Sequence, residues 1–348
     1  MELGTEKKQM LDLMLRPAFW VEDGMIRHVN SAATSLLLTE GQAVGDLISS
    51  GHEEYSQLFE GCLHLQLCIG QQNMGATVIC QNGGQLFLPD TLNTPAQFQS
   101  LALAAMQLRE PLAGLTAIAE QILPGVNPEY GAQANRRLHQ LLRIIGNMSD
   151  AQQYINPGSC RKEYTEICGF LEELLEKADG LMHHIGLRIQ ADIPRENIYT
   201  MVDRDQFERA VYNLLSNGAK FGQSSDNMQV QLVRRGQKLY LSVQSHGAVI
   251  DAGNAYDRFL REPSLEDPLH GIGLGMVLIR SVAANHGGAL LVDHPDAAHT
   301  RVTMSLTVCH GKGDLIRSPI LRIDYAGERD HGLLELSDVL PAALYAME

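Results

Sequence analysis

Asp203-Arg204-Asp205-Gln206-Phe207-Glu208-Arg209-Ala210-Val211-Tyr212-Asn213-Leu214-Leu215-Ser216-Asn217-Gly218-Ala219-Lys220-Phe221 is the stretch that decides how the second half of the chain is read. Its apolar residues recur at helical spacing and predict a long amphipathic helix over Asp205–Lys220. Asn213, Asn217 and Lys220 stand at i, i+4 and i+7, so they share one face of that helix. An amide oxygen on such a face can join the shell of a Mg2+ ion that also binds phosphates and water. A lysine ammonium beside it neutralises phosphate charge. A solvated amphipathic helix also carries polar residues on one face, so the reading rests on the whole pattern rather than on any one side chain.

A second signal lies downstream, at Gly271-Ile272-Gly273-Leu274-Gly275-Met276-Val277-Leu278-Ile279-Arg280, followed by His286-Gly287-Gly288. Glycines let the backbone come close to phosphates, and a helix N-terminus supplies N–H donors. A dinucleotide-binding βαβ reading fails, because no strand precedes the glycines and Met276 stands where the third glycine would be needed. A Walker loop fails because no Gly-Lys-Ser/Thr follows. Helices are expected at Ile167–Ala178 and Met276–His286. Strands are expected at Arg188–Ile193, Tyr199–Val202, Met228–Arg234, Lys238–Gln244, Leu290–Asp293 and Arg301–Val308. Residues 160–310 therefore read as an α/β sandwich, a sheet with helices over one face.

The run Asn-Leu-Leu-x-Asn-x-x-Lys with its following aromatic resembles the N box of sensor histidine kinases, and Gly-x-Gly-Leu-Gly resembles their glycine box. Arg258-Phe259 within Tyr256–Arg261 resembles the phenylalanine box of the lid. The resemblance implies a GHKL-type (HATPase_c) domain that takes ATP and Mg2+. It implies Asn217 as the metal ligand, Asn213 near the γ-phosphate, Lys220 on a phosphate and Phe221 beside the adenine. Ser245, Gly247, Phe259, Gly271, Gly273, Leu274 and Gly275 complete the implied nucleotide site. One departure concerns the family's Asp-x-Gly-x-Gly, whose aspartate accepts a hydrogen bond from the adenine amino group. Here the segment is Ser245-His246-Gly247-Ala248-Val249, with serine for the aspartate and valine for the second glycine. A charge-assisted hydrogen bond is roughly twice as strong as a neutral one, so weakened or absent ATP binding is expected.

Upstream, Phe98, Leu101, Ala105, Leu108, Leu112, Leu115, Ala119 and Ile122 alternate spacings of 3 and 4, a heptad seam that Pro111 should kink. A second run at Leu138, Leu141, Ile145, Met148, Gln152 and Ile155 ends at Asn156-Pro157-Gly158. Residues 94–157 thus read as a helical hairpin. One hairpin leaves both seams incompletely buried, so a dimeric four-helix bundle is expected. Ala105–Leu112 resembles the phosphoacceptor motif Ser-His-Glu-Leu-Arg-Thr-Pro-Leu, with Leu108, Arg109, Pro111 and Leu112 in place. Met106 occupies the histidine's position and Gln107 that of the acid. A thioether cannot become a phosphoramidate, and the carboxylate base is missing. No catalytic residue is therefore assigned. His139 reads as surface, and His183, His184 and His270 have no acidic partner at metal-ligand spacing.

Residues 1–92 predict a hairpin (Phe19–Val21, Asp23-Gly24, Met25–Val29), a short helix capped by Asn30 and running to Leu38, and strands at Leu63–Ile69, Ala76–Cys80 and Gln85–Leu88. The order of elements resembles a PAS-type sensor domain. A small α+β domain without a ligand reads equally well. In the tail, residues 311–348, Ile320–Tyr325 is a candidate strand, and Leu333–Leu340 is apolar enough to dock on the body.

The formal net charge of −14 repels nucleic-acid phosphates and anionic lipid. No apolar run approaches the roughly 20 residues of a membrane helix, and the six cysteines form no Cys-x-x-Cys pair. A cytoplasmic protein with no nucleic acid and no membrane partner is expected. The expected class is multidomain α+β. The expected function is a degenerate sensor histidine kinase of two-component signal transduction, a pseudokinase lacking cis autophosphorylation. Its expected partners are a second copy as homodimer, another kinase as heterodimer, or a response regulator. Two readings stay open beside it. One is an active histidine kinase or response-regulator phosphatase using a different acceptor. The other is a non-catalytic interaction scaffold.

Overall fold

The structure, a computed structural model, describes residues 5–57, 61–70, 72–81, 83–90, 95–125, 127–155, 160–222, 227–246, 274–308 and 330–346. Its first elements are α1 (Thr5–Asp12), β1 (Phe19–Glu22), β2 (Met25–Val29), α2 (Ser31–Thr34), β3 (Ile48–Ser50), α3 (His52–Ser56), β4 (Cys62–Ile69), β5 (Gln72–Gln81) and β6 (Gly84–Pro89). Asp23 and Gly24 both take positive φ, 50° and 71°, as a two-residue hairpin loop requires. Asn30 caps α2 by accepting from the Ala33 N–H at 2.8 Å. The helix stops at Thr34 rather than Leu38, and Leu37 turns the chain at φ 65°. The antiparallel order is β2-β1-β6-β5-β4. Alternation sends Phe19, Val21, Val78 and Phe87 to one face, and Trp20, Ile79 and Leu86 to the other, against Leu11 and Met14.

Two long helices follow, α4 (Pro95–Ile122) and α5 (Pro128–Ile155), and α4 continues helical through Pro111. Their buried contact comes from Ala105 and Leu112 on α4 and from Leu142 and Ile145 on α5. Leu108, Leu115, Ile122 and Leu141, four of the expected seam residues, are exposed. Those four stay open, as a single hairpin leaves part of both seams, while α5 serves two neighbours, α4 on one side and the C-terminal half of the chain on the other. The same cause corrects the reading of His139. It is only 6% exposed, with its ring edge-on to Tyr345 at 4.9 Å and its Nδ1–H donated to the Asn135 carbonyl at 2.9 Å.

The remaining elements are β7 (Glu163–Glu166), α6 (Ile167–Met182), β8 (Arg188–Asp192), β9 (Tyr199–Val202), α7 (Arg204–Phe221), β10 (Asn227–Arg235), β11 (Lys238–His246), α8 (Leu274–Asn285), β12 (Leu290–Asp296), β13 (His299–Thr307) and α9 (His331–Glu335). The sheet runs β12-β13-β11-β10-β8, with only the β10–β8 pair parallel. Met228, Val230, Leu232, Leu239, Leu241 and Val243 bury one face under α6, α7 and α8. Gln229, Gln231, Ser242 and Gln244 line a polar groove on the other.

The two sheets are one. Leu290, Leu291 and Val292 of β12 pair antiparallel with His64, Leu63 and Cys62 of β4, which makes a sheet of 11 strands. Gly61 is needed at this join. It sits at φ +95°, and a Cβ there would stand 2.2 Å from the Val292 carbonyl oxygen. Glu54 pairs with buried Lys238 at 3.2 Å and accepts from Ser305 Oγ at 2.6 Å, while Arg280 pairs with Asp90. The C-terminal segment lies along α5, with Leu334 in the hairpin core and Leu336, Leu340 and Tyr345 in the core of the α/β unit. Ile320–Tyr325 lies outside the described residues. Among the described residues no helix is long and apolar enough to cross a membrane.

Candidate functional site

The site is organised by how α7 begins. Asp203 caps the helix, accepting from Gln206 N–H at 3.1 Å through one oxygen and from Arg161 N–H at 2.8 Å through the other. The Asp203 N–H donates to His286 Nε2 at 3.0 Å, and His286 Nδ1–H donates to the Val282 carbonyl at 2.7 Å. One ring nitrogen accepts and the other donates, so the imidazole is neutral. Burial accordingly holds its pKa below the ordinary 6.5. This bridge ties the end of α8 to the start of α7 and sets the two helices side by side.

The first turn of α8 then meets the polar face of α7. A Cβ on Gly275 would stand 3.1 Å from Asn213 Oδ1, so the close approach depends on the missing side chain. Asn217 Nδ2 lies 3.5 Å from Met276 Sδ. Asn213 is 1% exposed, donates to the Arg209 carbonyl at 2.8 Å, and accepts from Arg143 at 3.2 Å. Lys220 Nζ is 2.5 Å from Asp338 Oδ2. Ser245, at the end of β11, has its Cβ 3.6 Å from where a Cβ on Gly218 would stand, so it flanks the C-terminal half of α7. Phe221 is the last residue of α7, and Leu274 opens α8. Gly247, Phe259, Gly271 and Gly273 lie outside the described residues.

Four residues of the site were not singled out in the sequence. Arg143 of α5 reaches Asn213 and, at 3.5 Å, Ser216. It also pairs with Asp338, and with Glu335 at 3.4 Å. Arg209 pairs with the same Glu335 at 3.0 Å and donates to Asn147 at 2.7 Å. Burial would raise the Asp338 pKa, but the Arg143 charge and the Lys220 hydrogen bond outweigh it. The carboxyl therefore titrates below its ordinary 3.8. The one sequence signal was two acids, Glu335 and Asp338, inside the apolar run Leu333–Leu340.

Lys220 and Arg143 thus both turn their charge toward the Asp338 carboxylate on this face. Among the described residues no group of three or more His, Cys, Asp or Glu could hold a metal unaided. Mg2+ keeps several waters and takes oxygens from substrate phosphates, so it does not depend on such a cluster.

Residues 202–309 match the family of histidine kinase-, DNA gyrase B-, and HSP90-like ATPases. They make up the HATPase_c-like part of the chain. Curated relatives extend the similarity beyond it. The sensor histidine kinase WalK of Bacillus subtilis is 20% identical over 59% of this chain and 36% of its own length. The sensor protein KdpD of Escherichia coli is 29% identical over 56% and 23%. The sensor histidine kinase RppB of Synechocystis is 26% identical over 61% and 49%. The chain thus spans less than half the length of each of these relatives. Among solved structures, full-length ShkA in complex with AMPPNP superposes with a TM-score of 0.47 at 18% identity, covering 61% of this chain and 47% of that one. The HATPase_c domain supplies Asn213, Asn217, Lys220 and Gly275; the hairpin and the tail supply Arg143, Glu335 and Asp338.

Proposed function

We propose that this chain is a degenerate sensor histidine kinase of two-component signalling, a dimeric cytoplasmic regulator that contacts a nucleotide weakly and does not phosphorylate its own hairpin. The observation that carries the nucleotide reading is the gathering of Asn213, Asn217 and Lys220 on one face of α7, with Gly275 pressed against Asn213, inside a HATPase_c domain. Bound Mg-ATP supplies a transferable phosphoryl group. In this reading Asn217 holds the metal, Lys220 neutralises a phosphate, and Asn213 orients the terminal phosphate. Gly271, Gly273 and Leu274 line the phosphates, while Phe221, Gly247 and Phe259 flank the base. Ser245 stands where a carboxylate would read adenine. Loss of that charge-assisted bond costs about 1.5–3 kcal/mol, or roughly one to two decades in affinity. Calorimetric titration should therefore give weak binding with little preference between ATP and GTP, and Ser245→Asp should tighten ATP. Micromolar ATP affinity with firm rejection of GTP would overturn this assignment.

Met106 supports the absence of cis autophosphorylation. It is 63% exposed on α4, where a nucleophile would have to stand, and it carries a thioether. Leu108, Leu115, Ile118 and Ile122 leave an apolar stripe exposed on the same helix, which supports pairing with a second copy or with another kinase. Light scattering should show a dimer at micromolar concentration that Leu115→Glu with Ile118→Glu converts to monomer; a monomeric parent would sink that part. The N-terminal sheet is the proposed PAS-like sensing unit, and a response regulator the proposed downstream partner.

A further inference from the structure

We infer that residues 330–346 are an autoinhibitory tail, whose Asp338 carboxylate occupies the place of a nucleotide phosphate on Lys220 and Arg143, so that a polyphosphate binds only by displacing it. The inference deepens the nucleotide reading and rests on it for the identity of the competitor.

Three observations converge. The first is chemical. Lys220 Nζ meets Asp338 Oδ2 at 2.5 Å, and Arg143 pairs with the same oxygen, so the cationic pair is already engaged by an anion of the same acceptor type as a phosphate. Arg143 also donates to Asn213, so the residue next to the proposed phosphate position is held by the same guanidinium. The second is electrostatic. Asp338 meets Lys220 and Arg143, and Glu335 meets Arg143 and Arg209, whereas a triphosphate carries more negative charge than these two carboxylates together. Asp338 keeps 31% of its side chain exposed, so a competing anion can reach it, while Glu335 at 3% is sealed in as the anchor.

The third is mechanical. The backbone around Asp338 is latched to α5 rather than to the HATPase_c domain. Arg136 donates to the carbonyls of Ser337 and Asp338, both at 3.0 Å, and Gln140 donates to Ser337 at 3.1 Å. Asn135 donates to the Tyr345 carbonyl at 3.0 Å. Leu334 is buried in the hairpin core, while Leu336 and Leu340 are buried in the domain core. The tail is thus wedged across the hairpin and the domain, and a shift of α5 against α7 would pull on the contact between Asp338 and Lys220.

The test uses the full chain and Asp338→Asn, which removes the charge and keeps the shape. Inorganic triphosphate and Mg-ATP are titrated in parallel. The variant should bind triphosphate about tenfold more tightly than the parent. An equal or weaker affinity in a variant whose circular dichroism matches the parent overturns the inference. As a measurement that needs no variant, hydrogen exchange of residues 333–340 in the parent should quicken at saturating triphosphate; unchanged protection overturns it as well. A gain for triphosphate with no binding of ATP would uphold the tail and refute the nucleotide reading. Failure of triphosphate to bind either protein refutes the tail.

Discussion

Among the described residues, the HATPase_c-like part is held to the rest of the chain at two places that differ in kind. At the edge strand β12, the join to β4 is a backbone ladder, sealed by the buried Glu54–Lys238 pair and by Gly61 against the Val292 carbonyl. At the polar face of α7, the join to α5 and the tail adds to the buried Leu336, Leu340 and Tyr345 a set of long charged side chains, Arg143, Arg209 and Lys220, on Glu335 and Asp338. A ladder has one register and no competitor in solution. A charge clamp that keeps a third of one carboxylate in water can be opened by another anion. The contrast assigns rigidity to one connection and exchangeability to the other.

The contrast breaks most readily at the sheet join. Glu54→Ala leaves the Lys238 ammonium buried with, among the described residues, only the Gly287 carbonyl at 2.6 Å, and an orphaned buried charge costs about 3–5 kcal/mol. Urea unfolding should show a loss of that order in global stability; a loss under about 1 kcal/mol would mean that the join is softer than its geometry. Glu335→Gln at the second place should cost less, about 1.5–3 kcal/mol, the range for a hydrogen bond to a charged group. That cost should appear as faster exchange of residues 330–346 with little change in the ladder amides of β4 and β12. Equal loosening of both would erase the distinction.

Acid separates the two connections with a smaller effect. His64, on β4 opposite Leu290, and His286 are held neutral, chiefly by burial; for His64 the Arg280 charge adds to it, and both titrate below 6.5. A depressed folded pKa means that the unfolded chain takes up the proton first. The stabilisation is whole above 6.5 and is lost as pH falls below it. Asp338 is depressed below 3.8, so its contribution persists until pH falls through 3.8 towards its folded value. At pH 5 the urea midpoint should be lower than at pH 7.5, while the relative protection of the tail is retained. Tail release at pH 5 ahead of any fall in the midpoint would reverse the assignment.

Legibility in the sequence followed the range of each interaction. Helix α7 was readable because its period, the Asp203 cap and the i, i+4, i+7 placement of Asn213, Asn217 and Lys220 are all local. The Asp23-Gly24 hairpin was readable because a two-residue turn needs positive φ at both positions. The heptad seams were readable as apolar stripes that a single hairpin leaves partly open, and Leu108, Leu115 and Ile122 are exposed accordingly. The second neighbour of α5 was not readable. His139 read as surface for the same reason.

The residues of α7 and α8 determined by themselves that a helix with Asn213, Asn217 and Lys220 on one face and a glycine-thinned neighbour would form, since spacing and capping act within a few positions. The tertiary structure decided what stands on that face. Arg143 and Lys220 reach Asp338 across 195 and 118 positions. Ion pairs at such separation leave no periodic trace, because either partner alone reads as a solvated charge. The ladder between β12 and β4 leaves still less, because main-chain N–H and C=O groups are the same in every residue that pairs.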